Sequence, residues 1–286
     1  MDTLEVVSSL KSTCIVLGVA QQLTGGKIGI GNILGTGFII REDGFFVTAS
    51  HVIKRINEQI EKLRSTNGKF GLGAGLLELN KEKISIHPIW IGERWFIDLG
   101  GESYQGATDF DVAVGRFVGL FKIPFLKIKK PQKLDLLSEI IMCGYPGGAT
   151  TFNLKKEFGG VRTSPLVQFG RISSLMPGDS TTKPVGIQTD IVGTGGSSGS
   201  PIVDSKDGEV IGVAQRAVSP AVTDDNDQYL GKANIGLIWG VSNYFLYDAV
   251  KKVLEVAKEQ LDEKGILKPE FKNDLHTNFQ IKVGNL

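Results

Sequence analysis

The chain has 286 residues, of which 41% are hydrophobic, and its 32 basic residues balance 31 acidic ones to a net charge of +1. Because no dense run of lysine or arginine occurs, the charge pattern gives no reason to expect nucleic-acid binding. The sequence contains no CxxC pair, no HExxH motif and no internal repeat, so we expect neither a metal site nor another cofactor. Its 37 glycines suit the many turns between short strands of an all-β fold.

The N-terminal residues 1–5 carry acids where a secretory signal would carry bases. No apolar stretch approaches the length needed to cross a membrane. We therefore expect a cytoplasmic chain that starts at its mature end and has no membrane partner.

Two apolar runs in the first third of the chain, residues 13–19 and 35–50, predict buried strands. The second run ends at His51, one of only three histidines. A lone histidine beside apolar residues is more often an ordinary core or surface side chain than a functional one. Beyond it, apolar residues at helical spacing predict an amphipathic helix that residues 67–68 close. These residues are Ile53, Ile56, Ile60 and Leu63.

An acid stands directly before another short apolar run. Asp111 precedes residues 112–114, and Asp109 is a rival acid two positions earlier. An aspartate at the start of a strand is commonly a turn residue, so neither acid carries a functional prediction by itself.

The second half of the chain begins after a segment that Pro124 and Pro131 bracket, which we interpret as a linker. Four further strands are predicted, at residues 139–143, 185–191, 210–214 and 235–239. A terminal amphipathic helix follows, with Gly265 just past its end. Its apolar face consists of Leu246, Val250, Val253, Ala257 and Leu261.

A glycine-flanked serine turn occupies residues 195–201, with the sequence Gly-Gly-Ser-Ser-Gly-Ser-Pro. Gly196 and Gly199 permit backbone angles closed to other residues, which can aim the N–H groups of Gly196 and Ser198 at one point beside the Ser198 hydroxyl. A flexible loop of glycine and serine is the competing interpretation.

Three residues follow one another in the chain, each at the edge of a strand: His51, Asp111 and Ser198. In this order the chain resembles trypsin-like serine peptidases of the chymotrypsin fold, and it is most similar to the high-temperature-requirement (HtrA/Deg) group. The resemblance covers about residues 10–243, with one departure at Ser200, where many relatives have glycine. Five segments carry it, in the order of that family: residues 35–40, 47–52, 111–114, 144–148 and 188–190.

The resemblance implies an all-β, chymotrypsin-like double six-stranded β-barrel, with an added helix after the catalytic histidine and a C-terminal helix. The protease domain would span residues 8–264, and residues 265–286 would form a short tail without a PDZ-like domain. Within the domain, the first barrel would take about 8–122, the second about 123–243 and the helix 244–264. Cys14 and Cys143 would lie in different barrels, so we expect two buried free thiols rather than a disulfide.

The resemblance also assigns the chemistry of acyl transfer. Ser198 would be the nucleophile and His51 its general base, while Asp111 would orient and stabilise the imidazolium. Asp111 is chosen over Asp109 because the family places its acid immediately before the strand. Gly196, Ser197 and Ser198 would form the oxyanion hole. Protein or peptide substrates are implied.

Counting back from Ser198 along the family pattern places Val192 at the base of the primary specificity pocket. Gln215, Arg216 and Ala217 would form one wall, and Gly236 the opposite side. Because no acid lies at the base, the pocket should prefer an apolar or small side chain, although Arg216 could pair with an acidic one.

Two alternatives to a constitutive endopeptidase stay open. One is a protease that becomes active only when a protein partner or ligand orders its serine turn. The other is a proteolytically silent binding module on the same fold, although no triad residue is lost. Ser197 stands where zymogens activated by a new N-terminus have an acid, so that route of activation is disfavoured.

Overall fold

The computed structural model describes residues 2–65, 68–79, 83–90, 96–97, 111–117, 122–147, 164–217, 221–223, 228–232, 237–262 and 268. Three α-helices lie in these ranges: α1 (Thr3–Thr13), α2 (Ser50–Leu63) and α3 (Asn243–Gln260). The strands of the first half are β1 (Cys14–Gln22), β2 (Ile28–Ile39), β3 (Phe45–Thr48), β4 (Phe70–Glu78), β5 (Lys83–Trp90), β6 (Phe96–Ile97) and β7 (Val112–Phe117). Those of the second half are β8 (Glu139–Gly144), β9 (Leu166–Met176), β10 (Gly186–Thr189), β11 (Pro201–Asp204), β12 (Val210–Ala217), β13 (Ala221–Thr223), β14 (Tyr229–Lys232) and β15 (Ile238–Ser242).

The first half folds into one antiparallel sheet in the order β3-β2-β1-β4-β5-β7-β6. β3 also pairs with β7, which brings the two ends of the sheet together, and β6 contributes only two residues. The apolar run at 35–50 is therefore two strands, because the chain turns back at Gly44, where φ is +91°.

The second half forms a closed antiparallel barrel in the order β10-β15-β12-β11-β8-β9. β13 and β14 pair separately as a two-stranded sheet. A seven-stranded antiparallel sheet, in which β6 has only two residues, and a closed six-stranded barrel confirm the predicted chymotrypsin-like fold class. The detailed domain boundaries stay a prediction.

Three large apolar cores account for this arrangement, beside a small cluster of Val16, Ile33 and Tyr145. One fills the first sheet beneath α2, and a second fills the closed barrel. A third lies between the two halves and includes residues of α1, α3, β1 and β8. Burial of this shared core keeps the facing edges of the two halves together, which is where the candidate site lies.

The two predicted amphipathic helices are confirmed as α2 and α3. In α2 the buried residues include Ile53, Ile56 and Ile60, but the helix ends at Leu63, before the predicted stop. α3 buries Leu246, Val250, Val253 and Ala257 against the core between the halves, whereas Leu261, the fifth residue of the predicted stripe, follows the end of the helix and is only partly buried.

Helix α1 was not predicted from the sequence. Asp2 and Glu5 form a capping box at its start, and Val6 and Leu10 are buried in the core between the halves. With so few apolar positions along an 11-residue helix, its periodic signal is too weak to distinguish it from a loop.

Both cysteines are free and buried, as predicted. The Cys14 thiol contacts the Cys143 carbonyl oxygen at 3.4 Å, and burial raises the pKa of the Cys14 thiol well above its ordinary value. No helix among the described residues is both long and apolar enough to cross a membrane.

Candidate active site

The pairing of β3 with β7 brings two of the predicted catalytic residues together. β3 ends at Thr48, whose partner in β7 is Ala113. His51 follows in the first turn of α2, and Asp111 lies immediately before β7. Because the strands are antiparallel, the end of one lies beside the start of the other, so residues 60 positions apart become neighbours.

The Asp111 carboxylate holds His51 at two points. One carboxylate oxygen, Oδ1, accepts the backbone N–H of His51 at 2.6 Å, and the other, Oδ2, contacts the ring nitrogen Nδ1. Both side chains are about a quarter exposed, so the pair opens to solvent on one side. With Nδ1 held by the acid, Nε2 is the ring nitrogen that can exchange a proton with a nucleophile.

Ser198 lies in a turn that requires glycine at two positions. Gly196 and Gly199 have φ of +95° and +85°, values that side chains with a Cβ rarely adopt. A Cβ on Gly199 would also overlap the carbonyl oxygen of Thr36 and the hydroxyl of Thr48. The first sheet therefore contacts this turn at van der Waals distance.

Successive peptide groups of the turn differ in their hydrogen bonding. The peptide between Gly196 and Ser197 is engaged at both ends, because its carbonyl accepts the Thr36 hydroxyl at 2.8 Å and its N–H donates to Thr194 O at 3.1 Å. The peptide that ends at Gly196 accepts the backbone N–H of Gly147 with its carbonyl oxygen. The peptide that ends at Ser198 accepts the backbone N–H of Ser200 in the same way.

The N–H groups of Gly196 and Ser198 have no acceptor among the described residues. Two such backbone donors beside a serine hydroxyl are what an oxyanion hole requires. The Ser197 N–H, which the sequence prediction included, is already donated to Thr194. Ser197 also accepts the Thr194 N–H with its own hydroxyl at 3.2 Å, so it shapes the turn.

The Ser198 hydroxyl donates a hydrogen bond to the carbonyl oxygen of Gln215 at 2.7 Å. In the part of the chain that the structure describes, no hydrogen bond joins this hydroxyl to His51. The Gln215 side chain is buried, and its amide nitrogen has no partner within the same residues.

Thr36 is a site residue whose role the sequence analysis did not predict. Besides its bond to Gly196, its hydroxyl accepts the Tyr145 N–H at 2.9 Å, and its own N–H donates to Ser198 O at 2.9 Å. The sequence signal was a hydroxyl inside the apolar run 35–50, and the structure shows that this side chain is fully buried, where a hydroxyl needs partners.

Four of the five residues predicted to form the specificity pocket lie within the described ranges. Val192 is 55% exposed, and its carbonyl accepts the Gln168 side chain at 3.0 Å. The guanidinium of Arg216 lies 5.6 Å from the centre of the Trp239 ring, which directs it along the barrel wall. Gly236 lies outside the described residues.

Ala217, predicted as part of one wall of the pocket, lies close to Gly193, because a Cβ on Gly193 would lie 3.3 Å from that of Ala217. The rival acid Asp109 lies outside the described residues. No group of side chains suited to hold a metal ion occurs within the described ranges.

Comparison with known proteins identifies the family of the chain. No curated protein shows significant similarity to the chain. A family model described as the trypsin-like peptidase domain matches residues 35–213, more than half of the chain. The match includes His51, Asp111 and Ser198, and the family acts on protein substrates. The chain therefore belongs to the trypsin-like peptidase domain family.

Proposed function

We propose that this protein is a serine endopeptidase that hydrolyses protein substrates through an acyl-enzyme, with the nearest functional analogy in the HtrA/Deg group. The observation that carries the proposal is the two-point contact of Asp111 with His51. A carboxylate that binds both the backbone and the ring of one histidine restricts the ring to one orientation, as a general base requires.

In the proposed reaction, Ser198 Oγ attacks the carbonyl carbon of the scissile bond while His51 Nε2 takes its proton. The tetrahedral oxyanion is stabilised by the N–H groups of Gly196 and Ser198. His51 then returns the proton to the leaving amine, the C–N bond breaks, and water hydrolyses the acyl-enzyme by the same route.

A gated protease is the second candidate, and the position of the Ser198 hydroxyl favours it. Donation to Gln215 O keeps that proton away from His51, so the side chain must rotate before attack. A substrate or protein partner that bound beside β12 could supply this rotation. The cytoplasmic location and the pocket preference for apolar side chains stay predictions.

The proposal is tested by labelling the full-length chain with a fluorophosphonate, with Ser198→Ala, Ser197→Ala and Ser200→Ala as matched variants. We expect peptide mapping to locate the label on Ser198, and only Ser198→Ala to abolish labelling. Label on Ser197 would contradict the assigned nucleophile.

A second comparison tests whether Asp111 is the catalytic acid and whether a partner is needed to activate Ser198. Asp111→Asn should reduce turnover by about 10,000-fold with the fold intact, whereas Asp109→Asn should be mild. Labelling that requires an added protein substrate or partner would support the gated form. If the folded wild type is not labelled under any of these conditions, the endopeptidase proposal is wrong.

A further inference from the structure

A cavity of about 910 Å³ lies between helix α3 and the extended segment 125–132, which connects the two halves of the molecule. Cavities that hold ligands commonly measure about 300–1,000 Å³. None of the residues that line it belongs to the candidate catalytic site. The contacts described above leave it without a role.

The lining combines an apolar floor with a basic rim. Phe125, which is 43% exposed, and Val250 and Leu254 of α3 contribute apolar surface. Four exposed lysines stand around this floor without an ion pair among the described residues: Lys127, Lys130, Lys251 and Lys258.

The other charges of the lining do not neutralise these lysines. Arg41 pairs with Asp43, and Lys129 pairs with Asp207. Glu209 and Glu255 are the other carboxylates in the lining, so cations remain in excess. A ligand with negative charge and apolar groups fits both features.

The backbone of the connecting segment offers an unpaired strand edge. β12 uses one side of it, because Val210 donates to Lys127 O at 2.8 Å and accepts the Lys129 N–H at 2.9 Å. The N–H and carbonyl of Ile128 point away from β12 and have no partner within the described residues. Such an edge can pair with an added extended chain.

The length of the cavity also suits a peptide. Its lining on α3 runs from Tyr247 to Lys258, which is about 16 Å at 1.5 Å per helical residue. An extended chain of about five residues covers that distance. In such a chain alternate side chains face opposite sides, so apolar residues could contact the floor while acidic ones lie between the lysines.

We propose that this cavity binds an extended segment of a partner protein in which acidic and apolar residues alternate. The C-terminal residues 263–286 of the chain itself carry four lysines against three acids, so charge does not favour them as the occupant. The inference rests on the cavity alone and does not depend on the proposed peptidase activity.

The test uses the full-length chain with Ser198→Ala, so that no probe is cleaved, and the labelled peptide Glu-Val-Glu-Leu-Glu-Val-Glu in fluorescence anisotropy. Lys251→Glu reverses a charge in the lining, and Lys252→Glu makes the same change at the adjacent exposed position of α3 outside it. We expect Lys251→Glu to weaken binding about fivefold, Lys252→Glu to leave it unchanged, and Phe125→Ala to weaken it as well. The analogue with glutamine in place of glutamate should bind more weakly.

Three outcomes would overturn the proposal. The first is the absence of binding at millimolar peptide, and the second is equal weakening by Lys251→Glu and Lys252→Glu, which would indicate unspecific attraction. The third is that the protein binds vesicles that contain an anionic lipid, that Lys251→Glu abolishes this binding, and that the peptide does not bind. That result would assign the cavity to a membrane surface.

Discussion

Replacement of the Thr36 hydroxyl by a methyl group should weaken both the fold and the serine turn. Thr36→Val keeps the side-chain volume and the backbone bond to Ser198 O, but it removes the bond to Gly196 O at 2.8 Å and the bond from the Tyr145 N–H at 2.9 Å. A buried hydrogen bond contributes about 1 kcal/mol net, and a buried partner left unsatisfied costs about 1–3 kcal/mol. Two such bonds, each of which leaves a buried partner unsatisfied, put the loss in free energy of unfolding at about 2–6 kcal/mol.

The same change should slow reaction at Ser198. The Thr36 hydroxyl holds the peptide between Gly196 and Ser197, and therefore the direction of the neighbouring N–H groups. We expect fluorophosphonate labelling to slow by at least about tenfold, though by less than the 100- to 1,000-fold that loss of an entire oxyanion donor costs.

Denaturant unfolding and labelling rates measure these two effects, with two matched variants as controls. Thr36→Ser keeps the hydroxyl and should label at nearly the wild-type rate. Thr13→Val makes the same chemical change at a fully buried threonine whose hydroxyl bonds only within α1, so it should leave labelling unchanged. Wild-type stability and labelling in Thr36→Val would refute the bracing role.

Three further predictions concern the backbone and pH. Gly199→Ala should lower the free energy of unfolding by more than about 3 kcal/mol and abolish labelling, because φ is +85° and a Cβ would overlap a carbonyl oxygen. Gly195→Ala should be tolerated, because the space around Gly195 is open. Burial raises the pKa of the Asp204 carboxyl, but the hydrogen bond and charge of Lys129 lower it, and the pKa lies below its usual range. Lys129→Met should therefore destabilise the fold by about 2 kcal/mol at pH 7 in denaturant titrations, and the difference should shrink as pH falls below about 4. Burial lowers the pKa of His87, so unfolding free energy should fall as pH drops below about 6.5, and His87→Phe should flatten this slope.

Much of the fold could be predicted from the sequence, because it depends on local patterns of apolar residues. Helices α2 and α3 bury apolar residues at helical spacing, and this spacing is visible in the sequence itself. The family resemblance predicted the fold class and placed His51 next to an acid before a strand. It could not by itself say how the acid contacts the histidine, since that depends on the register of β3 against β7.

The sequence alone determined which residue types are present for acyl transfer and the order in which they occur. Only the tertiary structure decided how the peptide between Gly196 and Ser197 is held, because its carbonyl accepts the hydroxyl of Thr36, 160 positions earlier in the chain. The same holds for the direction of the Ser198 hydroxyl and for the basic cavity beside α3. Hydrogen bonds between distant segments leave no periodic trace in the chain, so they become visible only once the two halves have packed together.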